Sequence, residues 1–471
     1  MSLLTNYPGT QDRFTSDILQ RKWILDKFQA IYKSLGYNLV ETPNLEPSEI
    51  LAKENGVGDQ PVYTFVDKHR DNVCLKPDQT VSLRRVIEQH DLRLPFMRHQ
   101  VGFAFRQDKP ERGRCREFTQ CDADVIGAPL GVADAETILW LQKGFIDIGL
   151  PETILSVNAR GILTGLYKSL GSEYFDELTF VRAIDKCPVS GDTSVVDRYL
   201  KTGQGEKNDE TEKKVFAPEL VAATDAIVGL LKRLLPFKEL PVWDSLTQFG
   251  TAFPQMETEV AEVRMVLEFC ESLGVSMENI RFDPCLARGM DYYTGPVFEA
   301  RHPLWTFGSL AGGGRYDQMV KIRDEAQPAV GASFGLERIE QTLHDLGRLP
   351  DVGGRGLADV LIATRPDWMP GPLKLAAELR KTIGRVLVFP NPDTSFKLQT
   401  KFASENGIKY IVFYGPDEAA AGEATIRTLT DGDITDVQAA RQSKNQKVTV
   451  AELSDTLLAL LAEQAFGSAN A

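Results

Sequence analysis

Met97-Arg98-His99-Gln100-Val101-Gly102-Phe103-Ala104-Phe105 and Glu117-Phe118-Thr119-Gln120-Cys121-Asp122-Ala123-Asp124-Val125-Ile126 each mix apolar and polar residues. Between them, Gln107 to Gly113 is polar and contains Pro and Gly. This order predicts a long hairpin with a basic tip. Residues 93–117 hold seven Arg or Lys against three acids, a local charge of +4. Alternate residues of a strand share a face, so Gln120, Asp122 and Asp124 point the same way. A merely polar outer face is the plain alternative.

On the N-terminal side, Ile24, Phe28, Ile31 and Leu35 have the spacing of one helical face within residues 13–35. Gly36 is placed to end that helix, and Tyr37 to Pro43 reads as a strand, with the proline suited to an edge. On the C-terminal side, helical patterns near 217–235 and 256–273 mark 186–280 as a helical insertion, with a solvated charged loop at 200–214. Residues 296–318 read as extended, with glycine turns. Val330 to Gly335 reads as a strand running into a helix that carries Arg338 near its start. The domain plan is therefore residues 1–185 and 281–347 around the insertion, then a linker at 348–357 and a last domain at 358–471. In that domain, apolar strands at 359–364, 385–389 and 409–414 alternate with helices near 371–383 and 395–406. The alternation predicts a three-layer α/β domain with a mainly parallel sheet.

At 471 residues the chain is long enough for several domains. No run of about 18 apolar residues occurs, which argues against a membrane span. The N-terminus lacks a basic region followed by an apolar one, so a secretory signal is not expected. Six cysteines without a C-x-x-C pair read as reduced thiols, and the expected location is the cytoplasm. Five scattered histidines give no metal-ligand spacing, and no P-loop motif occurs. The net charge of −13 argues against nonspecific coating of nucleic acid, while leaving room for a local basic surface.

The densest chemistry lies in Arg288-Gly289-Met290-Asp291-Tyr292-Tyr293-Thr294-Gly295, followed by Ala311-Gly312-Gly313-Gly314-Arg315-Tyr316-Asp317. Guanidinium groups match phosphate or carboxylate oxygens, and phenols sort flat polar ligands. A β-turn is the bland alternative for this stretch taken alone. Arg106, Arg288 and Arg338, with Arg114 and Arg116 on the basic tip, are candidates for a shared anion. Asp78 and Thr80, two apart in a segment read as extended, would share a face and could hold an ammonium group.

These blocks resemble the class II aminoacyl-tRNA synthetases, and within them the histidyl-tRNA synthetase family. Gly36 to Pro43 resembles the dimer-interface motif. Phe105-Arg106-Gln107-Asp108, with Arg114-Cys115-Arg116-Glu117-Phe118-Thr119-Gln120, resembles the second class motif. Gly335-Leu336-Glu337-Arg338 resembles the third. The 288–293 and 311–317 stretches resemble the two histidine-specific motifs, and Gly9-Thr10-Gln11-Asp12 the family's opening.

The resemblance implies an α+β catalytic domain built on a mixed, mostly antiparallel sheet, and a C-terminal anticodon-binding domain. It implies ATP-dependent ligation of L-histidine to its tRNA by a homodimer. ATP would be a substrate accompanied by Mg2+, without a dedicated protein metal site. Arg106 and Arg288 would be catalytic. Arg106, Asp108, Arg114 and Arg338 would bind ATP. Asp78, Thr80 and Gln120 would hold the amino group, Arg288 the carboxylate and α-phosphate, and Asp124 and Tyr293, with Tyr316 nearby, the imidazole, while Tyr292 would also belong to the histidine site. Asp stands at 78, 108 and 124 where the commonest bacterial form has Glu, while Gln79 and Cys115 also depart from the usual residues. A synthetase-like regulatory subunit of ATP phosphoribosyltransferase is one rival, but such paralogues tend to lose the ATP arginines and the last domain. A nucleic-acid-binding scaffold is another. It draws no charge support from residues 358–471, whose net charge is −2.

Overall fold

The computed structural model of the chain describes residues 5–51, 62–90, 92–171, 174–187, 190–202, 206–207, 214–287, 292–350, 357–429 and 445–467. They fall into two compact units, Met1–Leu349 and Pro350–Ala471. In the first unit, α1 (Thr15–Ser34) buries Ile24, Phe28 and Ile31 on one face. The Asp17 carboxylate accepts the Phe14 amide at 3.0 Å and caps the helix start. Gly36, at φ +80°, takes the left-handed backbone that ends it. Only Asn38–Leu39 (β1) of the strand expected at 37–43 enters a sheet ladder, pairing in parallel with residues 98–99.

The hairpin is β2 (Phe96–Phe105) and β3 (Glu117–Ile126), paired along its whole length from Phe96↔Ile126 to Phe105↔Glu117. With β4 (Ile154–Ala159), β5 (Ile280–Phe282), β6 (Pro296–Arg301), β7 (Ala311–Arg315) and β8 (Ala329–Gly335) it forms an eight-stranded sheet of order β1-β2-β3-β8-β7-β6-β4-β5. The two end pairs are parallel and the five ladders between them antiparallel. This is the mixed, mostly antiparallel sheet that the resemblance implied.

Period-two alternation separates core from site. Cys121, Ala123 and Val125 of β3 and Val330, Ala332 and Phe334 of β8 join the main hydrophobic cluster with α1 and α3 (Val132–Asp147). Phe334 stacks on Phe28 at 4.0 Å between ring centres and meets Trp140 and Phe145 edge-on. Between their ends, the opposite faces carry Gln120, Asp122 and Asp124 of β3 and Gly331, Ser333 and Gly335 of β8.

The helical segment starts at Arg160–Ser169 and Glu177–Asp185, earlier than residue 186, and continues through Ser194–Lys201, Pro218–Leu234, Val242–Ala252 and Glu257–Ser272. Its Ile227, Leu231, Phe249 and Val263 belong to the same hydrophobic cluster as Phe282 and Phe298 of the sheet. The segment is therefore packed as part of the unit. Of the expected charged loop, Glu206–Lys207 and Lys214–Val215 form a short antiparallel ladder, and 203–205 and 208–213 lie outside the described residues. So do 351–356 of the expected linker.

In the second unit, β9 (Val360–Ile362) lies between β10 (Val386–Val388) and β11 (Tyr410–Phe413), all parallel. Two further strands extend the sheet, β12 (Glu423–Thr428) antiparallel to β11 and β13 (Asn445–Thr449) antiparallel to β12, so the sheet is half parallel by ladder where a mainly parallel one was expected. Val360, Ile362 and Val412 pack with Leu375, Leu379 and Leu457 on one face. Leu361, Ile411 and Phe413 pack with Phe396, Phe402 and Ala403 on the other. These helices on both faces make three layers.

Candidate active site

A cavity of about 340 Å³ lies against the polar faces of β3 and β8. Its wall combines the hairpin tip, the start of α2 (Gln79–Gln89), the strand β7 and the start of α4 (Leu336–Asp345). Of the expected site residues, Asp78, Thr80, Arg106, Asp108, Arg114, Gln120, Asp124, Tyr292, Tyr293, Tyr316 and Arg338 all line it. Arg288, with Gly289, Met290 and Asp291, lies outside the described residues.

One part of the wall is cationic. Arg106 Nε donates to the Pro77 carbonyl at 2.9 Å, and its guanidinium sits 5.3 Å from the Phe118 ring centre. Arg114 pairs with Asp108 at 3.0 Å on the hairpin tip. Arg338 donates through Nε to the Gly113 carbonyl at 3.0 Å and through a terminal nitrogen to Ser309 at 2.8 Å, which fixes its fork from two sides. Arg116, a further candidate, turns away. It donates to the carbonyls of Asp108 and Pro8 and covers the Tyr7 ring, tying the N-terminal segment to the hairpin.

The other part is rich in oxygen acceptors and phenols. Asp78 and Thr80 do not belong to an extended segment. Asp78 is the N-cap of α2, and its Oδ1 accepts the Val81 amide at 2.9 Å, placing Thr80 in the first helical turn. The helix wins locally because a capping aspartate precedes Val81, Leu83 and Ile87, which bury one face. Both side chains still reach the cavity because it opens at the helix start. Tyr316 donates its hydroxyl to Asp124 Oδ1, and Tyr292 lies edge-on to Tyr316 at 5.7 Å. Gly331, facing Asp124 across the β8–β3 ladder, has to be glycine: a Cβ there would sit 2.1 Å from Asp124 Oδ1.

Burial raises the Asp124 carboxyl, against the pull of Arg98 and of the Tyr316 hydroxyl. Burial also pushes Asp122 up to about 7, with Arg98 opposing and Asp124 adding to the rise. The Tyr292 and Tyr316 phenols are raised well above their usual value by burial, so they stay neutral donors.

Two supports escape a reading of the sequence. Arg98, fully buried in β2, ion-pairs with Asp124 at 2.6 Å. Glu337 accepts the Thr119 amide at 3.0 Å and pairs with Arg21 at 3.0 Å and Arg13 at 3.2 Å. It thereby clamps α1, β3 and the helix bearing Arg338. Arg21 carried a signal, since it stands three residues before Ile24 on the buried face of α1.

A family model described as histidyl-tRNA synthetase matches residues 9–339. The chain belongs to the histidyl-tRNA synthetase family. As a histidyl-tRNA synthetase it is a class II aminoacyl-tRNA synthetase, a ligase with ATP as a substrate. A histidine–tRNA ligase of Dinoroseobacter shibae is 32% identical, covering 97% of each chain. One from Rhodopirellula baltica is 31% identical over 92% of this chain and 95% of its own. The crystal structure of histidyl-tRNA synthetase from Nostoc sp. PCC 7120 superposes with a TM-score of 0.68 at 26% identity, over 97% of this chain and 99% of that one. These matches span both units, whereas the family model lies within the first.

Proposed function

We propose that this synthetase activates and transfers histidine in the β3–β8 cavity, with ATP on the arginine wall and the amino acid on the carboxylate–phenol wall. The observation that carries this assignment is the division of one cavity into a cationic and an acceptor-rich half. Arg106, Arg114 and Arg338, with Asp108 aligning Arg114, bind the triphosphate. Asp78, Thr80 and Gln120 take the α-amino group, and Asp124, Tyr292, Tyr293 and Tyr316 read the imidazole. Arg288 spans the carboxylate and the α-phosphate, a role that rests on its sequence motif.

A histidine carboxylate oxygen attacks the α-phosphorus of ATP, and the bond to the bridging oxygen breaks with pyrophosphate as leaving group. The terminal ribose hydroxyl of tRNA then attacks the acyl carbon of histidyl-adenylate, and AMP departs. Such chemistry depends on positioning and on donors aimed at developing charge, which arginines supply. Mg2+ enters with the nucleotide. The 358–471 domain binds the anticodon region, and the enzyme works as a cytoplasmic homodimer through the β1 edge. No helix among the described residues is long and apolar enough to cross a membrane.

ATP–pyrophosphate exchange with each of the twenty amino acids tests the assignment. Stimulation by histidine alone is expected, with magnesium dependence, and Arg288→Ala abolishes it while the chain stays folded. Near-normal exchange in that variant sinks the role of Arg288, and exchange driven by another amino acid sinks the specificity.

A further inference from the structure

Among the described residues, four buried oxygens of the cavity wall lack a hydrogen-bond partner: Asp78 Oδ2, Gln120 Oε1, Asp122 Oδ1 and Asp124 Oδ2, of which only the last is held in an ion pair, with Arg98. A buried acceptor left bare is costly, so the three without an ion pair in one cavity point to a ligand with several donors. An ammonium group has three N–H donors and one positive charge. Among the described residues Asp122 makes no ion pair of its own, and its one side-chain hydrogen bond comes from the neutral Ser333. Arg98 stands beside both carboxylates of β3, but its 2.6 Å ion pair is with Asp124. The strand register sets Asp122 between Gln120 and Asp124 on the same face, opposite Ser333 of β8.

We propose that Asp122 is a third direct acceptor for the α-ammonium of histidine, completing a set with Asp78 and Gln120, and so determines the requirement for a charged amino group. The inference rests on the assignment of this cavity to the amino acid. The charged and titratable groups around Asp122 are Arg98 on β2, Asp124 and Cys121 on its own strand, Asp78 at the start of α2, Lys76 just before it and Tyr32 on α1. Without ligand, burial holds the Asp122 carboxyl at about 7. An arriving ammonium favours the ionised form, so binding displaces the proton at neutral pH.

The test compares histidinol with its deamino analogue, 3-(imidazol-4-yl)propan-1-ol, by equilibrium binding to the full chain and to Asp122→Asn. The two probes differ only in the ammonium group. Wild type is expected to prefer histidinol by tenfold or more, and Asp122→Asn to lose about tenfold of that preference. In wild type the preference also grows between pH 6 and pH 8, a readout that needs no variant. A preference unchanged in the variant and flat with pH overturns the role of Asp122 while leaving the cavity assignment intact. Failure of the wild-type chain to bind histidine or either probe overturns both.

Discussion

Arg98 and Asp124 meet at 2.6 Å across adjacent strands, with side chains 0% and 3% exposed. The same carboxylate accepts the Tyr316 hydroxyl, so the group proposed to read the imidazole is held by a cation on one side and a phenol on the other. Arg98→Met leaves that carboxylate buried without its cation, which costs about 3–5 kcal/mol. The double variant Arg98→Met/Asp124→Asn no longer strands the Asp124 charge and is expected to recover part of that loss, the remainder reflecting Asp122, which Arg98 also faces. Urea unfolding of the four chains measures the coupling, and strictly additive losses would refute it.

Gly331→Ala probes the same group from the other strand. The added Cβ falls 2.1 Å from Asp124 Oδ1 and 2.7 Å from the Ala123 carbonyl, so the carboxylate has to move. A displacement on the order of 1 Å at a positioning group costs about 10²-fold. The expected loss is in kcat/KM for histidine during exchange, with KM for ATP little changed. An equal rise in both constants would mean general disruption.

Arg106 and Arg338 should behave alike, and Arg116 unlike them. Each of the first two lines the cavity with its guanidinium fixed by backbone carbonyls. Alanine at either removes a donor at developing charge, worth about 10²–10³ in exchange rate. Arg116→Ala, on the same hairpin but turned to Pro8 and Tyr7, is expected to lower thermal stability slightly and leave exchange within a few-fold. A hundredfold loss from Arg116→Ala would show that the hairpin tip rearranges.

Glu340 makes stability depend on pH. Burial pushes its carboxyl from 4.5 up to about 7, with Glu337 adding to the rise and Arg21 and Arg13 opposing it. A raised native value means that the folded chain holds the proton more tightly than the unfolded one. This contribution is complete below 4.5 and is lost as pH rises through about 7. Over that window it amounts to roughly 3 kcal/mol at most. Glu340→Gln lacks the titration, so its stability relative to wild type should improve between pH 5 and pH 8. Chemical unfolding at the two values reads the difference, and a pH-independent gap would remove Glu340 as its source.

What could be read in advance follows contact range. The hairpin strands begin and end within a residue of the expected positions, because alternation and the Pro–Gly loop are local signals. α1 starts two residues after the expected position, and Gly36 ends it as expected. Asp78 and Thr80 read as extended in the sequence because a capping aspartate after Pro77 resembles a polar loop until the burial of Val81, Leu83 and Ile87 is known. Arg98 and Glu337 were silent for a different reason. Their partners lie 26 and 316 residues away, and such charges acquire meaning only when the sheet order β2-β3-β8 sets them side by side.

The second unit supplies the last prediction. Its five-stranded sheet carries a helix-packed core on each face, so it has the makings of an independent domain. Residues 358–471 nevertheless have a net charge of −2, which gives general electrostatics little to work with. If this unit binds the anticodon region, it does so by direct contacts to bases. Ending the chain at residue 350 should then weaken binding of the histidine tRNA at least tenfold in a gel shift, with little change for a noncognate tRNA. Histidine-dependent pyrophosphate exchange, which needs no tRNA, should stay near the full-length rate. Equal tRNA affinity with and without the second unit would withdraw the anticodon role and leave recognition to the catalytic unit and its basic hairpin.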